Sequence, residues 1–556
     1  MTKIKKLISY AYLGGALTGL ITAGAQAQNA PALTGQVTSA EEGPMEGVLV
    51  SAKKDSTAIT ISVVSDQKGE YSFPADRLEA GHYTIAIRAG GYNLDGSKAV
   101  DIAGGGAKAD IKLVKTKNLV NQLTNAEWLL SAPGPENIKT QLINCVECHT
   151  VQRIFASTHD AAEFKQIFRR MGTYSPGSTP THPQPLLPGP RGERPPIAES
   201  QFESVAEWLA SVNMSTSDSR SFELRTLPRP KGAATKVIYT EYDLPRKETQ
   251  PHDVIVDQDG MVWYSDFSNQ FAGVMDPDTG KATEIPIPVL KPEQPKGGLD
   301  IELDPGQKNV WLSLMYQAGV ARIDRATHQV TMYPFPKEWQ SASTQASMVS
   351  PQHADIDGKV LTNNQEMHGV YRLDVKSGQF EDLGQSKDLS GKQISAYGMP
   401  TDQQNNVYQL EFGGTSIGYR DLTAGTTTIY RTPMAGSKPR RGRVDGQNRL
   451  WFAEYGGNAI GLFDPKTAAI KEYPLPTKFG EPYDVVPTKD ASQVWTGSMV
   501  NDRVARLDTK SGQITEYLMP QPTNIRRVFL QETGPRPTLW VGSNHGASIV
   551  KVEPLD

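Results

Sequence analysis

The spacing of apolar and polar positions changes character twice along the chain. Gly81-His82-Tyr83-Thr84-Ile85-Ala86-Ile87-Arg88 alternates with period two, as a half-buried strand does. Gly47–Ala52 and Glu70–Phe73 are short strand-like runs, and the second is entered through the turn Asp66-Gln67-Lys68-Gly69. Residues 32–116 therefore predict a small β-sandwich, in which His82 reads as a structural strand residue. From 118 to 215 the period becomes helical. Asn125–Leu130 is a short helix, and Asp160 caps a helix whose apolar positions run Ala161, Phe164, Ile167, Phe168 and Met171. A Pro-rich loop, 176–196, separates it from the amphipathic helix Glu199–Ala210.

From 235 to 556 short strands return in a repeat. An edge-strand phrase recurs from Glu241, Glu284, Met332, Phe380, Ile429, Glu472 and Glu516; Glu472-Tyr473-Pro474-Leu475-Pro476 is a clear copy. The starts lie 43, 48, 48, 49, 43 and 44 residues apart, a period that fits four-stranded propeller blades. Seven inner sets of strands accompany the seven phrases. The first phrase has no inner set before it and the last inner set has no phrase after it. The strand at 237–243 is thus expected to complete the last blade and close the ring. The predicted fold class is mainly β and multidomain: an Ig-like β-sandwich, a small helical unit and a seven-bladed β-propeller.

Composition and charge narrow the picture. A net charge of −4 gives no reason to expect a nucleic-acid partner. Lys3, Lys5 and Lys6, an apolar run from Leu7 to Ala23, and Ala25-Gln26-Ala27 read as a signal peptide, 1–27, cleaved after Ala27, so a periplasmic protein is expected. No later apolar run reaches the roughly 18 residues of a membrane span, so no span is expected in the mature chain. The two cysteines stand three apart, so no wider disulfide framework exists.

That pair forms Cys145-Val146-Glu147-Cys148-His149. C-x-x-C-H attaches a c-type haem: the thiols reach the two vinyl groups and the adjacent imidazole lies under the iron. A zinc site would need two more soft ligands, and a thioredoxin-like redox pair would need a βαβ pattern. Neither is present, so one covalent haem c is expected on Cys145, Cys148 and His149. Met171 is the first choice for the distal iron ligand, with Met214, His159 and His182 left open. The motif between helices resembles the small cytochrome c domain. The order of strands and turns in 32–116 resembles the carboxypeptidase regulatory-like domain, which implies adhesion or packing, not catalysis.

Asp257 to Trp263 and Asp445 to Trp451 carry a blade phrase Asp-x-x-Gly/Asn-x-Val/Leu-Trp. With Ile460-Gly461-Leu462-Phe463-Asp464-Pro465 it resembles the streptogramin (virginiamycin B) lyase propellers. One mouth of such a ring is expected to gather His252, Lys296, His353, Tyr397, Arg440, Arg441, Tyr483, Arg526 and Arg527 from the loops before the inner strands. The second loops would add Asp266, Glu366, His368, Glu411, Glu454 and His545. His252, His353, His368, Tyr483 and Glu481 are the candidate catalytic residues. Lys296, Arg440, Arg441, Arg526 and Arg527 form a basic ring suited to an anionic substrate, with Glu454 and His545 beside it. The lyase resemblance implies a His base and Mg²⁺ held through a Glu-Pro-His motif. Here the motif reads Glu481-Pro482-Tyr483, so Glu481 matches as a possible ligand for Mg²⁺ or Ca²⁺ while the base position is a tyrosine.

The favoured expectation is an oxidoreductase: the propeller binds a small anionic organic molecule and the haem passes electrons to a periplasmic acceptor or donor. The alternatives are a lyase or lactone-type hydrolase with an accessory haem, and a non-enzymatic electron-transfer or binding module.

Overall fold

Short strands separated by turns fold first into the expected sandwich. The structure, a computed structural model, describes residues 31–187 and 195–556; the signal peptide read at 1–27 and part of the Pro-rich loop lie outside the described residues. One sheet is built around Leu33–Ser39, which pairs in parallel with Ile111–Lys115 and antiparallel with Glu70–Phe73. The other runs Ile59–Val64, Leu49–Lys54, Gly81–Arg88, Ala99–Ile102. Period two holds: Tyr83 and Ile85 face the core with Val37, Val50 and Phe73, while His82 points outward to Asp101 at 2.7 Å.

The helical unit is started by capping boxes. Thr124 accepts from the Glu127 amide ahead of Asn125–Ser131, and Asp160 accepts from the Glu163 amide ahead of Ala161–Met171. A third helix, Phe202–Val212, closes the unit. Trp128 stacks on Phe155 at 5.5 Å, and Phe164, Phe168 and Phe202 complete an aromatic core. The 3₁₀ segment Thr140–Glu147 carries the start of the Cys-x-x-Cys-His turn.

The remainder is a ring of seven four-stranded antiparallel sheets. Six are built from consecutive strands. The seventh takes Val528–Gln531, Thr538–Ser543 and Ser548–Pro554 from the C-terminus and closes with Val237–Asp243, as the repeat count requires. The blade phrase has a physical basis. Asp257 accepts from the Met261 amide and from the Trp263 indole at 2.9 Å, and Asp445 does the same for Arg449 and Trp451, so one carboxylate shapes the turn and orients the buried tryptophan.

Ring closure goes one step beyond the expectation. The free edge of Val237–Asp243 is not left to solvent: it pairs with Ile59–Val64 of the sandwich, from Ile238↔Val63 to Tyr242↔Ile59. One eight-stranded sheet therefore runs from the channel wall through the seventh blade into the sandwich. The junction is pinned by a bidentate Arg77–Glu553 pair at 3.0 and 2.9 Å and by Arg88 with Asp502 at 2.6 Å.

Candidate functional site

The mouth residues are delivered by a recurring irregularity. In four blades the innermost strand enters through a register shift, between Pro251 and Val254, Ala396 and Gly398, Pro439 and Gly442, and Pro482 and Val485. A bulge re-aims side chains that simple alternation would place differently. His252, Tyr397, Arg440 and Tyr483 gather at the mouth, whereas Asp253, Arg441 and Asp484 enter a charged network in the channel. Gly398 permits the close packing this needs, since a Cβ there would lie 2.3 Å from the Arg440 carbonyl oxygen.

His252 is fully buried. Its Nδ1 lies 2.6 Å from Asp253 and its Nε2 3.1 Å from the Tyr483 hydroxyl, which in turn hydrogen-bonds Tyr397. Burial pushes the imidazole down to about 3, so it is neutral and Nε2 can accept a hydrogen bond from the tyrosine hydroxyl. Arg441 grips Asp253 with two 2.8 Å hydrogen bonds and also meets Asp300. Arg527 reaches Glu302 at 2.7 Å and Asp300 at 3.1 Å, and Arg443 reaches Glu302 and Asp484, each at 3.3 Å. Burial pushes the Asp300 carboxyl up, against the pull of Arg441 and Arg527 beside it.

The helical unit sits on this mouth. Asn524 donates to the Val146 carbonyl at 3.1 Å, and Arg526 to the Glu147 carbonyl at 3.0 Å; His545 Nε2 stands 3.2 Å from that same carbonyl. The Ala126 amide donates to the Val500 carbonyl, and one hydrophobic core runs from Trp128 and Phe155 to Tyr483 and Met499.

Between the two lies a cavity of about 790 Å³. Its upper wall includes Cys145, Cys148, His149, His159, Met171 and Tyr174, and its floor Phe267, Tyr397, Phe412, Arg440, Tyr483 and Arg526. Both thiols are free, and burial pushes each up to about 12. His149 Nδ1 lies 3.0 Å from the Thr150 carbonyl, a contact that fixes the tautomer and leaves Nε2 for a metal. Two unpaired thiols, a preset imidazole and a thioether on one chamber fit a covalently held haem. The volume lies within the roughly 300–1,000 Å³ of cofactor pockets.

Several expected mouth residues are not brought together. His353 follows the short inner strand Val349–Ser350 instead of preceding it, so it lies at the opposite end of the channel. There it hydrogen-bonds Thr401 at 2.9 Å and lines a separate cavity of about 240 Å³. His368 occupies a left-handed turn position, φ 51°, and does not line the main cavity. Lys296 is exposed; its peptide, not its amine, is engaged, by Gln184. Arg441 and Arg527 are engaged in the buried network, with Asp253 and Glu302 among their partners, and do not line the main cavity. Glu454 is buried beside Glu472 and pushed up to about 8, chiefly by burial. Glu481, strained at φ 42°, is likewise pushed up to about 8 by burial, and neither glutamate lines the cavity. Among the described residues no group of three or more His, Cys, Asp or Glu side chains is arranged to hold a metal ion. Asp266 and Glu411 shape loops: Asp266 accepts from Gln250, Ser268 and Arg246, and Glu411 from Ser416. His545 meets the backbone of the Cys-x-x-Cys-His turn at the Glu147 carbonyl.

Sequence reasoning missed Asp253, Asp300, Glu302, Asp484 and the aromatic residues Phe267, Phe412 and Tyr455. A usable signal was present in Pro251-His252-Asp253 and Pro482-Tyr483-Asp484, where one triplet opens two inner strands.

The architecture is that of a β-propeller with an accessory sandwich. Residues 385–555 match the Virginiamycin B lyase family and residues 32–114 the Carboxypeptidase regulatory-like domain. The virginiamycin B lyase from Staphylococcus aureus shows 19% identity over 57% of this chain and 100% of its own, at a TM-score of 0.48. A streptogramin B lyase structure shows 18% identity over 58% and 100%, at 0.49. The structure of YCF48 bound to D1 peptide shows 11% identity over 57% of this chain and 97% of its own, at 0.44. No curated protein sequence matches the chain.

Proposed function

We propose that the chain is an exported c-type haem protein and that its propeller and haem site act as one redox chamber on a small anionic organic substrate. The observation that carries this reading is the shared cavity: Cys145, Cys148, His149 and Met171 border the same space as Arg440, Tyr483 and Arg526. Cys145 and Cys148 would hold the haem covalently through thioether bonds. His149 and Met171 would hold the iron. When bound, the haem would supply one-electron transfer between the chamber and an external periplasmic carrier.

The chain's own residues define the rest. Phe267 and Phe412 keep the floor apolar and limit water. Arg440 and Arg526 make the chamber attractive to an anion. Tyr483 is hydrogen-bonded to neutral His252, which is oriented by Asp253, so the tyrosine hydroxyl is held in a fixed position on the chamber floor. Elimination chemistry is less well supported, because the residue at the expected base position is Tyr483 and Glu481 stands off the cavity.

The test is anaerobic spectroscopy of haem-loaded protein against small periplasmic carboxylates and alcohols. At least one compound is expected to reduce the haem, and Tyr483→Phe is expected to slow that reduction about tenfold, the loss of one hydrogen bond of about 1.4 kcal/mol. Consumption of a compound with the haem still oxidised would refute the redox reading. Cys145→Ser with Cys148→Ser is expected to abolish covalent haem in the denatured protein, checked by haem staining after gel electrophoresis.

A further inference from the structure

Arg440 is the anomaly of the cavity floor. It is 3% exposed, and its guanidinium is surrounded by four rings: Tyr483 at 3.7 Å, Phe412 at 4.2 Å, Tyr455 at 4.6 Å and Tyr397 at 5.0 Å. Ring faces hold a flat cation in place, but they accept no hydrogen bond from the in-plane N–H groups at its edge. Those groups are poorly served. Nη2 stands 3.7 Å from Glu147 Oε1, beyond hydrogen-bonding range, and Nη1 reaches only the Met499 sulfur at 3.8 Å. Nε, buried, has no acceptor among the described residues. The next residue, Arg441, also leaves Nε without an acceptor among the described residues, but its Nη1 and Nη2 make two 2.8 Å hydrogen bonds to one carboxylate, which the terminal nitrogens of Arg440 lack.

Arg526 stands on the same floor, 1% exposed, with Phe267 and Tyr483 beside its guanidinium at 5.3 and 5.8 Å. It spends Nε on Asn524 at 2.9 Å and Nη2 on the Glu147 carbonyl. Among the described cavity-lining residues Glu147 is the one carboxylate, against Arg153, Arg170, Arg440 and Arg526. A buried guanidinium short of acceptors is costly unless something in the cavity completes it.

We infer that Arg440, supported by Arg526, is a preformed clamp for a carboxylate group, held in an aromatic box and paired only when the cavity is filled. Planar two-oxygen chemistry matches the fork of Arg440 and is the chemistry a ligand must present. The carboxylate has two sources, a haem propionate or a free organic acid. The inference rests on the cavity being a binding chamber, as proposed above, and is independent of whether electrons are transferred there.

The experiment uses benzoate as the carboxylate probe and benzamide as its neutral isostere, followed by calorimetry on the full chain. One arm uses the Cys145→Ser, Cys148→Ser protein, which holds no covalent haem; the other uses the haem-loaded protein. In the haem-free arm benzoate is expected to bind and benzamide not, with affinity falling at least tenfold in Arg440→Gln and partly restored in Arg440→Lys. If the haem-loaded protein also binds benzoate in an Arg440-dependent way, the clamp serves a free acid. If it does not, and Arg440→Gln instead shifts the haem reduction potential, the clamp serves a propionate. Equal binding of benzoate and benzamide, or no dependence on Arg440 in either arm, overturns the inference. Near-UV circular dichroism checks that each variant is folded, and Arg440→Lys is read against wild type if Arg440→Gln is not. A failure of the redox reading, with no compound reducing the haem, leaves both binding arms intact.

Discussion

Arg441→Met is expected to cost about 3–5 kcal/mol of folding stability, because it strands buried carboxylates in the channel. Asp253 would lose both of its 2.8 Å hydrogen bonds and Asp300 a direct partner. Arg527, already engaged with Glu302 and Asp300, has no spare geometry to replace a bidentate fork. The loss would also reach the cavity, since Asp253 orients His252 and His252 meets Tyr483. Arg506→Met is the control: its partner is the terminal Asp556 at 2.8 Å, partly solvated, and such a pair is worth about 0–1 kcal/mol. Urea unfolding of both variants checks this. Equal small losses would show that the channel network contributes no more than a surface pair.

Ile61→Pro is expected to separate the sandwich from the ring and to cost about 3 kcal/mol or more. Ile61 lies on a strand paired on both sides, with Thr240 of the seventh blade and Ala52 of the sandwich. A proline there removes a donor from an interior strand, where prolines are excluded. The edge Val237–Asp243 would then be loosened, and with it the strand that closes the ring. Ala99→Pro, at the start of a strand on the far edge of the same sheet, is expected to be tolerated. Limited proteolysis with thermal unfolding distinguishes the outcomes. Early cleavage near residues 213–236 in Ile61→Pro, and not in Ala99→Pro, is the expected pattern. Identical behaviour would mean that the shared sheet is not what secures the closure.

The ring was readable because its information is local. A period near 45 residues, an Asp that binds its own blade's Trp indole, and a count of seven edge phrases each depend on neighbours in sequence. The same holds for the helices, whose caps Thr124 and Asp160 lie three residues from their partners. What escaped depends on register and on distant pairs. Alternation alone does not reveal that a bulge sends Arg440 to the cavity and Arg441 into the channel network. His353 was misplaced for a related reason: its inner strand is only Val349–Ser350, so a few residues of register moved it to the other end of the channel. The pairing of Ile59–Val64 with Val237–Asp243 joins segments about 180 residues apart and leaves no trace in either run. The Cys-x-x-Cys-His turn was evident from sequence, but its seat over the propeller mouth follows from Asn524, Arg526 and His545, which reach backbone carbonyls and not side chains.

The most direct test of a haem seated over the propeller is a crystal structure of the protein matured by a covalent haem-attachment system. The expected result is thioether bonds at Cys145 and Cys148, His149 on the iron, and the cofactor in the cavity walled by Phe267, Tyr397, Arg440 and Tyr483. Free thiols after that maturation, or a haem seated away from those four residues, would contradict the shared chamber.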